Sequence, residues 1–139
     1  DQEGKKVHPY IIHRTSMGCY ERTLALLIEK YAGALPTWMS PEQVRILPIT
    51  DRTLDYSKEI QKKLEAVGVR VELDERSEKI GKKIRDAQLE KVPYMLVLGD
   101  KEAEAGQVAV RSRKTGETEV MPADEFVAKI VMEIATKAK

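Results

Sequence analysis

The sequence predicts an α/β fold, a mixed sheet of about five strands flanked by three helices and preceded by a separate strand–helix unit. Three observations predict it. Beyond Pro41, short apolar runs alternate with stretches whose apolar residues recur at helical spacing. Glycine, proline or a small polar residue punctuates each change of period. Two further strand-like runs flank Lys114-Thr115-Gly116, a hairpin signal.

The elements follow in chain order. Val7 to Ile12 is a short apolar run broken by His8 and Pro9, the pattern of an edge or terminal strand. Over Glu21–Ala34, Leu24, Leu27, Ile28 and Tyr31 mark one face of a helix that stops near Gly33. Leu35 to Pro41 reads as a stiff linker, because each of its prolines restricts the residue before it. The domain boundary is expected there, giving units 1–36 and 37–139. Val44 to Ile49 suits a strand buried on both faces. Tyr56, Ile60, Leu64 and Val67 form a helical stripe closed by Gly68, and Val69 to Leu73 makes the next strand. Ile80, Ile84 and Ala87 give the following helix a narrow stripe, with Lys79, Lys82, Lys83 and Arg85 expected on its solvated face. Pro93 to Leu98 is a third strand ending in the turn Gly99-Asp100. Gln107 to Arg113 alternates, with Val108 and Val110 on one face and Ala109, Arg111 and Arg113 on the other. Glu117–Met121 returns antiparallel, and Pro122 opens a last helix with Phe126, Ile130 and Ile134 inward.

Alternating strands and helices imply right-handed crossovers and a largely parallel sheet, which the hairpin makes mixed. Ligands of such sheets gather beyond the carboxyl ends of the strands. Asp74–Ser77 and Gly99–Glu102 lie there.

Composition narrows the function. Apolar residues at 42% and charged residues at 34% describe a soluble chain with material for one core. No apolar run approaches the roughly 20 residues that cross a bilayer. The start at Asp1 carries no signal-like segment and no initiator Met, so a piece of a longer chain is expected. Cys19 is the single cysteine, which excludes an internal disulfide framework and fits a cytoplasmic location. With a net charge of +1, nucleic acid could be held only through local patches and direct base contacts.

No complete catalytic set is present: HExxH, Walker-type loops and paired CxxC motifs are all missing. His8 and His13 alone cannot build a zinc site, which needs three or four ligands. Arg111 and Arg113 are the stronger candidates. An arginine fork with Glu102 as acceptor has the chemistry to read the edge of an unpaired base, guanine above all. A surface salt bridge among them would stabilise little.

Several segments, taken together, carry a resemblance. His13-Arg14-Thr15-Ser16-Met17-Gly18-Cys19-Tyr20-Glu21-Arg22 resembles the third signature motif of class II aminoacyl-tRNA synthetases, in the threonyl form. Tyr31 to Pro41 is similar to that family's junction into its anticodon-binding domain. Glu78 to Arg85, Val92 to Glu102 and Val108 to Arg111 match it again, in order and over nearly the whole chain.

The resemblance implies a division of labour. Residues 1–36 would be the end of a catalytic domain and 37–139 an anticodon reader. It assigns Arg22 to ATP phosphates and His13 to one of three zinc ligands, the rest of that site lying outside this chain. Zinc, ATP and magnesium therefore belong to the full enzyme, a threonine–tRNA ligase paired through its catalytic domain, and this chain alone should not aminoacylate. It places Ser77, Arg85, Lys91, Glu102 and Arg111 at the anticodon of threonine tRNA. Relatives commonly carry asparagine at Ser77, arginine at Lys91 and serine at Cys19. Two other readings stand beside this one: a prolyl, histidyl or glycyl synthetase domain, and a standalone regulatory RNA-binding module.

Overall fold

A computed structural model describes residues 4–15 and 18–138. Over 4–15 the chain forms neither helix nor strand, so the strand expected at Val7–Ile12 is absent. Tyr10, Ile11 and Ile12 stand almost fully exposed there. A strand persists only where a neighbour pairs its N–H and C=O groups, and no described strand lies alongside.

Helix α1, Tyr20–Tyr31, closes on Ala32 in the left-handed region and Gly33 at φ +78°. None of its residues is buried, and Leu24, Leu26 and Ile28 face solvent. The linker then docks firmly. Gln43, 1% exposed, donates to the Thr37 carbonyl at 3.0 Å and accepts from the Arg70 amide at 2.9 Å. The Arg70 guanidinium takes the carbonyls of Trp38 and Ser40.

Five strands follow: β1 (Val44–Pro48), β2 (Val71–Leu73), β3 (Tyr94–Leu98), β4 (Gln107–Ser112) and β5 (Thr118–Pro122). Their order is β2-β1-β3-β4-β5, with β1, β2 and β3 parallel and β4 and β5 antiparallel. The expected hairpin turn forms, its Gly116 at φ +69° donating to the Ser112 carbonyl at 2.9 Å. Helices α2 (Leu54–Ala66), α3 (Ile80–Leu89) and α5 (Ala123–Ala135) are those the periodicity predicts. The expected turn at Gly99-Asp100 continues into one more, α4 (Asp100–Ala105).

Side-chain alternation sorts the core into two layers. Val44, Ile46, Leu96, Leu98, Val108 and Val110 point to one face, under Ile60 and Leu64 of α2 and Phe126 and Ile130 of α5. Leu47 and Met95 point to the other, under Ile80, Ile84 and Ala87 of α3. Two right-handed crossovers, β1 to β2 and then β2 back past β1 to β3, run in opposite directions along the sheet and so must place α2 and α3 on opposite faces. Among the described residues no helix is long and apolar enough to cross a membrane.

Candidate nucleic-acid interface

The face that carries α3 is only half covered. On β4, Ala109 and Arg111 pair with Val97 and Met95 of β3, so they share the face of the α3 layer. On β5, Val120 and Thr118 stand opposite them, and Val120 is 57% exposed. The β4–β5 half of the sheet is thus an open shelf with α3 as its wall.

Arg111 sits on that shelf. Its Nε is buried and has no hydrogen-bond partner among the described residues. Buried N–H groups are nearly always satisfied in folded proteins, so this one is an exception that calls for an acceptor.

Glu102 approaches the same face from α4. Its Oε2 accepts from the Gly99 amide at 3.0 Å, fastening the first turn of the helix. Gly99 continues β3 with extended backbone, so its side-chain direction falls on the α3 face by parity with Met95 and Val97. A Cβ at Gly99 would meet Glu102 Oε2 at 2.9 Å and Ile49 Cδ1 at 3.1 Å. Glycine is needed here for close approach, and the Glu102 carboxylate lies over the sheet on the Arg111 side. The two groups do not touch. Register puts Gly99 four residues along β3 from the partner of Arg111, about 13 Å at roughly 3.3 Å per residue. A flat ring fits between an acceptor and a donor so spaced.

The remaining candidates spread along α3. Ser77 precedes the helix and Arg85 lies on it; both are exposed and carry no hydrogen bond or ion pair among the described residues. Lys91 follows it at φ +57°, and its ammonium donates to the Ala32 carbonyl. It therefore lies at the opposite end of the sheet from Ser77, tied to the end of α1.

Two basic residues have roles that differ from the expected ones. Lys83 is 4% exposed, not solvated, and its Nζ donates to the carbonyls of Asp74 (3.1 Å) and Pro48 (3.4 Å). It sits one turn from both Ile80 and Ala87, inside the stripe, and ties the ends of β1 and β2 together. Arg113 lies just beyond the end of β4 and lines the same small cavity as Arg111, but its donors are spent on the junction. Its guanidinium donates to the carbonyls of Lys91 (2.5 Å) and Leu35 (2.6 Å), and burial lowers its pKa from the ordinary arginine value.

His13 and Arg22 are both exposed. Ser16 and Met17 of the motif between them lie outside the described residues. Cys19 donates its thiol to Glu21 Oε2 at 2.8 Å, which holds that carboxyl below its usual range. Among the described residues no three His, Cys, Asp or Glu side chains come together.

A half-open mixed sheet with an unsatisfied arginine on its shelf is the architecture of a binding module. Comparison with known proteins gives the class, since the family described as "Anticodon binding domain" matches residues 43–133. This chain belongs to that family. Its relatives narrow the family further. A threonine–tRNA ligase of Clostridium perfringens is 60% identical over 99% of this chain, which spans 21% of that relative. One from Clostridium botulinum is 56% identical over 100% of the chain and 22% of the relative. Among solved structures, the RNA-binding domain of threonyl-tRNA synthetase from Cryptosporidium parvum superposes with a TM-score of 0.77 at 36% identity, covering 81% of this chain and 28% of that one. Prolyl-tRNA synthetase of the same organism gives 0.66 at 27% identity, covering 74% and 23%.

The parts sequence reasoning missed left faint signals. Gly99 three residues before Glu102 has the spacing of an N-cap and its carboxylate, yet six residues without an apolar period hide the helix between them.

Proposed function

We propose that this chain binds the anticodon loop of a threonine tRNA, as the reading end of a threonine–tRNA ligase. One observation carries the proposal: on the α3 face of β4, beside the exposed Val120 of β5, the Arg111 guanidinium has no hydrogen-bond or ion-pair partner among the described residues. The Arg111 fork donates to the acceptor edge of guanine, the second anticodon base. Glu102 accepts from N1–H and N2–H at the opposite edge with the oxygen its amide bond leaves free. Arg85 and Ser77 supply donors to the RNA backbone along α3, and Lys91 extends that line with the donors its Ala32 bond leaves over. Residues 1–36 belong to the catalytic part, where His13 and Arg22 would complete zinc and ATP sites built mainly by the rest of the ligase.

Competition binding tests this with threonine-anticodon stem-loop RNAs that differ only at the second base. Arg111→Ala should weaken the cognate loop by about 1–3 kcal/mol, the worth of a bidentate base contact, and erase the preference for guanine. An unchanged preference in this variant removes Arg111 from the reader.

A further inference from the structure

The shelf has a floor that the base contact leaves unused. Beside Arg111, between the last turn of α3 and the β4–β5 hairpin, lies a cavity of about 150 Å³ lined also by Gln88, Val92, Met95, Ser112, Arg113 and Gly116. A guanidinium has five N–H donors, and a bidentate grip on a base engages two of them. The buried Nε–H has no acceptor among the described residues. Two of these lining residues bring a side-chain oxygen. The Ser112 hydroxyl already accepts from the Lys114 amide at 3.2 Å. Gln88 is exposed, and its amide makes no side-chain hydrogen bond among the described residues.

We propose that Gln88 is a positioning residue for base recognition: its amide oxygen turns into the cavity and accepts from Arg111 Nε–H, aiming the fork at the base. The geometry favours this over a further phosphate ligand. The Nε is closed to solvent, beside a cavity that Val92, Met95, Ser112 and Arg113 also line. A phosphate oxygen would have to enter from solvent, while the Gln88 side chain already lines the wall. Holding Nε also removes rotamer freedom from the arginine before RNA arrives, and such preorganisation favours binding.

This inference rests on Arg111 being the reader, and the experiment separates the two. Gln88→Leu removes the acceptor at similar volume, and Gln88→Glu keeps it. With the whole chain and the same stem-loop RNAs, Gln88→Leu should cut the preference for guanine over adenine about 3- to 10-fold, the worth of one net hydrogen bond. Gln88→Glu should restore it, and the unfolding midpoint should stay put in both because the side chain is exposed. If Gln88→Leu retains full preference while Arg111→Ala loses it, the positioning role is wrong and the reader stands. If neither variant changes preference, both fail. A Gln88→Glu protein as impaired as Gln88→Leu would also overturn the role, since the acceptor would then be irrelevant.

Discussion

Asp74 shows how single side chains set the shape of the interface. It is 8% exposed at the end of β2, and its carboxylate accepts from Arg76 Nε (2.9 Å), Nη2 (2.6 Å) and the Arg76 amide (3.1 Å). The Arg76 guanidinium beside it holds the Asp74 carboxyl below the usual carboxylate range, against the desolvation that raises it. A carboxyl whose folded pKa is depressed contributes stability above its unfolded pKa of about 3.9, and that contribution is lost as pH falls through the folded value. Asp74→Asn should therefore lower stability by about 1–3 kcal/mol at neutral pH, read by urea unfolding. The deficit should shrink below about pH 4, where the parent protein loses the same charge. A deficit that stayed constant down to pH 2 would show the carboxylate charge to be irrelevant. Lys83 is the complementary case, a cation buried on carbonyls that spacing alone assigns to solvent.

At the scale of elements, α1 differs from every other long helix. Its apolar stripe has the same period as those of α2 and α5, yet Leu24 and Ile28 are 58% and 54% exposed while Ile60 and Phe126 are 1%. Leu24→Ser combined with Ile28→Ser should leave the unfolding free energy of the sheet unit, read by urea, within about 0.5 kcal/mol of parent, because surface changes without packing partners cost little. A larger loss would mean that α1 packs on the sheet unit. This contrast explains what could be read from the sequence. Period reports the element and not its burial, so α1 was as legible from its stripe as β1, β3, α2, α3 and α5. Val7–Ile12 has strand composition and no described partner, and α4 has capping chemistry and no stripe. The site was less legible still. That Glu102 and Arg111 lie over one face follows from the pairing register and the extended backbone at Gly99, neither of which spacing along the chain contains.

Across the whole molecule, the shelf and the junction are joined through one strand. Arg111 faces the open sheet, and two residues further on Arg113 grips the carbonyls of Leu35 and Lys91. Lys91 in turn holds the Ala32 carbonyl at the end of α1. On the other side of the sheet, Glu133 of α5 accepts from Thr37 Oγ1 at 2.6 Å and from the Tyr94 hydroxyl, a phenol whose pKa desolvation and that carboxylate raise. The linker is thus bonded from both sides. Arg113 has no carboxylate partner among the described residues, and its guanidinium is partly desolvated on neutral carbonyls alone. Its value lies in holding the linker. Arg113→Met keeps most of the apolar stem and removes the donors, so the amides of Ala34 and Leu35 should exchange with deuterium markedly faster. Those of β1 and β3 should keep their rates, because local opening needs only the contacts of the segment that opens. Equal acceleration throughout the sheet would mean that Arg113 supports the fold as a whole, and unchanged exchange at Ala34 and Leu35 would mean that the linker is held without it.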